Sequence, residues 1–94
     1  CYVDDLVAGL IVLANKGKSG EVYNLGNDNE TKIIDLARMV IKITGKKIKI
    51  KYIIRPDHDH DRRLPDLSKI KKLGWSPKVN LEEGIRRTAA WYGF

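Results

Sequence analysis

The chain has 94 residues and a formal net charge of +6, with 43% hydrophobic and 32% charged residues, the balance of one small folded domain and not of a disordered chain. Its longest uncharged run, residues 6–15, is too short for a membrane span of about 20 residues, and no basic start with an apolar stretch and a small-residue cleavage site marks a signal peptide. The single cysteine, Cys1, excludes an internal disulfide and every multi-cysteine zinc motif, and fits a reducing cytoplasm.

The basic balance has two readings: an anionic partner (nucleic acid, a phosphorylated metabolite or a membrane surface), or a solvated lysine-rich face. The chain opens on Cys1 and not on Met, already within what reads as a structural element. It is therefore expected to be part of a longer polypeptide.

The first element is an apolar helix after Tyr2-Val3-Asp4-Asp5. Asp5 is placed to cap it, and Gly17 to end it in a left-handed turn. The helix is apolar all round, which predicts burial on most sides. Residues 21–25 then read as a short strand, with Asn24 either organising a turn or shaping a site. Residues 26–29, Gly-Asn-Asp-Asn, form a turn. Thr31 is expected to cap the next helix, which stops at Gly45. Ile33, Leu36, Ala37, Val40, Ile41 and Thr44 share one face of it.

Residues 46–54 alternate, with Ile48, Ile50, Tyr52 and Ile54 on one side and Lys47, Lys49 and Lys51 on the other. This predicts a half-buried strand whose lysines protect an edge or meet a polyanion. Asp66 is expected to cap a short helix holding Leu67, Ile70 and Leu73, ended by Gly74. Asn80-Leu81-Glu82-Glu83 is a capping box for a last helix, with Leu81, Ile85, Ala89 and Tyr92 on one face.

The densest set of functional groups is the arm Arg55-Pro56-Asp57-His58-Asp59-His60-Asp61-Arg62-Arg63. An extended backbone puts both imidazoles on one face and three carboxylates on the other, short of the ligand set zinc requires. The arm reads either as solvated loop or as an anion-binding arm. In the second reading the planar fork of Arg55 meets phosphate oxygens, and a carboxylate such as Asp57 accepts from ribose hydroxyls. There is no Gly-x-Ser-x-Gly, no glycine-rich phosphate loop and no Tyr followed four residues later by Lys. The residues offer ligand contacts, with no catalytic group, no cofactor-binding residue and no metal site.

In their order and spacing these motifs resemble the C-terminal third of the extended short-chain dehydrogenase/reductases, the NAD-dependent nucleotide-sugar epimerases, dehydratases and decarboxylases. The resemblance rests on Tyr2-Val3-Asp4-Asp5, Gly20-Glu21-Val22-Tyr23-Asn24-Leu25-Gly26, Arg55-Pro56, Arg62-Arg63-x-Pro65-Asp66-x-Ser68-Lys69, Leu73-Gly74-Trp75-x-Pro77 and Leu81-Glu82-Glu83-Gly84. It covers nearly the whole chain and stands nearest the UDP-glucuronate decarboxylases. It implies an α/β fold, with residues 1–94 forming a nucleotide-sugar-binding subdomain of about four helices and two or three short strands. Arg55 then matches the arginine on the substrate diphosphate, and Asp57 or His58 falls near the ribose and phosphate contacts. Asp5, Asn24, Gly26, Asp66, Gly74 and Trp75 match framework positions. Lys32 departs from the pattern, since relatives often carry a Ser or Thr cap there.

The resemblance also implies that NAD is held by a separate N-terminal half. The parent reaction would oxidise the sugar at C4 and then epimerise, dehydrate or decarboxylate the keto intermediate. The expected partner is a UDP- or dTDP-sugar, in a cytoplasmic homo-oligomer with no nucleic acid or membrane partner. The competing expectation is an independent basic module binding nucleic acid or another polyanion through lysines 46–51 and 69–72. Apolar surface on the first helix predicts self-association of the chain.

Overall fold

A helix that is apolar all round is buried only if something stands on every side of it. The computed structural model, which describes residues 1–54 and 64–94, supplies a wall on one side of the first helix. Four helices follow in order: α1 (Val3–Lys16), α2 (Ile33–Thr44), α3 (Ser68–Lys72) and α4 (Leu81–Trp91). Among the described residues there are four helices and no β-strand, so the two or three strands expected of the α/β reading are not supported there.

The two expected strands form no ladder. A strand exists through its cross-strand hydrogen bonds, and none joins residues 21–25 or 46–54 to another described segment. The alternation at 46–54 is present, but Ile48, Tyr52, Ile53 and Ile54 are all exposed. Of its apolar side only Ile50 is half-buried.

The core gathers around the shortest helix. Leu67, Ile70 and Trp75 are buried together, with Val12, Leu13, Leu25 and Leu73 half-buried against them. Gly9 lets α1 approach closely: a Cβ there would stand 2.7 Å from Leu25 Cδ2 and 3.2 Å from the Trp75 ring. The Trp75 indole Nε1 donates to the backbone oxygen of Asp5 at 3.0 Å, which satisfies the one polar group of a buried tryptophan. Gly74 sets up this packing by taking φ +93°, a conformation glycine adopts without strain.

Four expectations about helix ends change. Asp5 lies within the first turn of α1 instead of capping it, and its Oδ2 accepts the Lys78 and Val79 backbone N–H groups at 3.1 and 2.9 Å. Gly17 follows α1 with φ −65° and ψ 144°, extended and not left-handed. Lys32, not Thr31, holds the N-cap of α2, without a side-chain hydrogen bond. At α4 half of the capping box forms: Asn80 Oδ1 accepts from the Glu83 N–H at 2.9 Å, while the Glu83 carboxylate engages Arg87. Gly45 ends α2 where expected, and does so in the left-handed conformation at φ 67°.

Helix α2 packs on α4 to one side of this core. No residue of α2 is buried, and only Gly84 and Ala89 are buried in α4. The whole is a thin slab of 48 × 35 × 17 Å with a radius of gyration of 16.1 Å, against about 12 Å for a compact chain of this length. A thickness of 17 Å is less than two helix diameters, so most side chains meet neighbours on one side only.

The surface follows from that shape. Val3, Leu6, Val7, Leu10 and Ile11 lie exposed on α1, which corrects the expectation that this helix is buried on most sides. Trp91, Tyr92 and Phe94 are exposed at the chain's end.

Candidate functional site

The anion-binding residues expected from the sequence, Arg55, Asp57 and His58, lie outside the described residues. What the structure gives is the frame on either side of them. The upstream flank ends at Ile54, 96% exposed. The downstream flank is built firmly, because within four residues of Leu64 the chain enters the core at Leu67.

That anchoring comes from residues 21–28 laid against residues 65–71. Asn24 Nδ2 donates to the Asp66 backbone oxygen at 3.4 Å. Gly26 leaves room for Pro65, whose Cγ would stand 3.3 Å from a Cβ on that glycine. Lys69 Nζ donates to Glu21 Oε2 at 2.9 Å and to the Val22 backbone oxygen at 3.1 Å. Lys71 Nζ donates to Asp28 Oδ2 at 2.7 Å. These ties replace the strand ladder that the sequence led one to expect.

Asp66 completes the anchor. Its Oδ1 accepts from the Ser68 N–H at 2.9 Å and turns the chain into α3. Asp66 thus orders the helix entry one residue ahead of the N-cap itself, Leu67. The hydrogen bond from the Ser68 amide holds the Asp66 carboxyl below its ordinary value of 3.8. Asp28 is likewise held below 3.8, chiefly by its hydrogen bond from Lys71. Glu21 raises Lys69 above its ordinary 10.5 by the same kind of bond.

Leu64 stands on the wall of a broad groove of about 1730 Å³ that runs between α2 and α4 and includes Tyr2, Ile33, Leu36, Ile85 and Trp91. Small-molecule pockets occupy roughly 300–1,000 Å³, so this trough exceeds what one small ligand fills. Arg87 lies against it, in an ion pair with Glu83 at 3.0 Å and over the Tyr2 ring at 5.5 Å.

The framework positions Asp5, Asn24, Gly26, Asp66, Gly74 and Trp75 all take part in the core or its ties. Asn24 bonds the Asp66 backbone across the chain and not a neighbouring turn. The ties of Lys69 and Lys71 were not foreseen. Both lysines belong to a charge run that reads as solvated or polyanion-binding, and only their long-range acidic partners distinguish them. No group of three or more metal-ligating side chains occurs among the described residues. No helix among them is long and apolar enough to cross a membrane.

Taken together, the fold and its ties define a helical scaffold with a groove between α2 and α4, with no constellation for bond-breaking chemistry among the described residues. Residues 1–88 match the family model described as GDP-mannose 4,6 dehydratase, and the chain belongs to that family. It is 41% identical to UDP-glucuronic acid decarboxylase 1 of Xenopus tropicalis, over 97% of this chain and 22% of that protein. It is 40% identical to dTDP-glucose 4,6-dehydratase of Salmonella typhimurium, over 97% and 28%. A third relative, the trifunctional UDP-glucose 4,6-dehydratase, 3,5-epimerase and 4-keto-L-rhamnose-reductase of Arabidopsis thaliana, is 36% identical over 97% and 14%. The chain therefore spans between 14% and 28% of these relatives' length.

Proposed function

We propose that this chain is the substrate-binding portion of a nucleotide-sugar dehydratase or decarboxylase and is not catalytic by itself. The observation that carries the reading is the anchoring of Pro65 and Asp66 by Asn24, Gly26 and α3, directly after the arm that holds Arg55, Asp57 and His58. An arm fixed at its downstream end can present an arginine fork to a diphosphate at lower entropic cost than a free loop. Arg55 binds the diphosphate, and Asp57 or His58 contacts the ribose or a phosphate. The relatives named for UDP- and dTDP-sugar chemistry support that ligand class.

NAD in the parent enzyme would accept hydride from the sugar. The described residues do not fit it, since the chain has no Gly-x-Gly-x-x-Gly and no Tyr-x-x-x-Lys. No step of the reaction is assigned to this chain. Its residues bind and orient. The reading of the lysines as a polyanion stripe is weakened by the ion pairs that occupy Lys69 and Lys71.

The test is an NMR titration of the labelled chain with UDP at low and moderate salt. One charge-assisted contact is worth about 1.5–3 kcal/mol, so a Kd of about 1 mM or weaker is expected. Shifts should centre on residues 55–66, persist at moderate salt and weaken at least tenfold in Arg55→Ala. Diffuse shifts over Lys46, Lys47, Lys49 and Lys51 that vanish with salt would instead mark a general polyanion binder.

A further inference from the structure

We draw no further inference here: the strongest candidate, the open apolar groove between α2 and α4 that includes Ile33, Leu36, Ile85 and Trp91, is an unpartnered face, and nothing in the structure shows what covers it.

Discussion

Helices α2 and α3 reverse the expectation set by their patterns. Helix α2 has a continuous apolar face at helical spacing over 12 residues, and none of its residues is buried. Helix α3 has five residues and too little length for any periodicity to register, yet Ile70 within it is fully buried and Leu67 before it nearly so. The difference lies in what stands opposite. Around α3 stand the inner face of α1, Leu25 and Trp75. Across from α2 stands α4, and no residue of α2 is buried against it. Periodicity states which face a helix can bury, and the neighbours decide whether it does.

Truncating one residue in each region sets that comparison at its widest. Ile70→Ala opens a cavity in the one closed core and should cost about 2–5 kcal/mol. Ile33→Ala, at a position 76% exposed, should change stability by less than about 0.5 kcal/mol. Urea unfolding at low temperature measures both. Equal losses would mean that α2 is as well covered as α3, and the contrast would fall.

The same contrast explains what could be read from the chain beforehand. All four helices were legible, because capping residues, glycine stops and apolar spacing are local signals. The stop at Gly45 and the Asn80 cap came out as expected. The strands did not, because a ladder needs a partner and alternation at residues 46–54 describes only half of a pair. Asp5 was misread for a related reason. A carboxylate in a first turn looks like a cap, and nothing nearby in sequence announces that residues 78 and 79 will bring it two amide protons. At the candidate site residues 55–58 read as phosphate chemistry by residue type alone, and they lie outside the described residues. The anchoring downstream of them rests on Asn24, Lys69 and Lys71 pairing across the chain, which no local pattern encodes.

Asp5 itself offers the next largest effect. The residue is 6% exposed, and its carboxylate accepts from both the Lys78 and Val79 amides. It thereby ties α1 to the segment that leads into α4, joining the two regions. Asp5→Ala leaves both donors without their acceptor and should cost about 2–4 kcal/mol. Asp5→Asn keeps one acceptor oxygen and should cost less. Hydrogen exchange distinguishes a joint from a local cap: in Asp5→Ala the amides of Lys78 and Val79 should lose protection together with the Trp75 indole. Loss confined to the first turn of α1 would show a capping role after all.

Acid titration gives the smallest effect and the finest separation of the two regions. Asp28 is held low chiefly by the Lys71 hydrogen bond, and Glu82, ordinarily 4.5, chiefly by that of Arg86. Both carboxyls bind a proton less tightly folded than unfolded. Each therefore adds stability that is full above its ordinary value and lost as pH falls below it, near 3.8 for Asp28 and 4.5 for Glu82. Both are surface groups, so the contribution is small and screened by salt. The pairs differ in what sustains them. Glu82 and Arg86 stand one turn apart on α4, so helix alone keeps them together. Asp28 and Lys71 meet only when residues 21–28 lie against α3. In Ile70→Ala, NMR titration should return Asp28 toward 3.8 while Glu82 stays depressed wherever α4 remains helical. If both carboxyls relaxed together, the α3 core and the α2–α4 layer would be one cooperative unit, and their unequal burial would carry no difference in local stability.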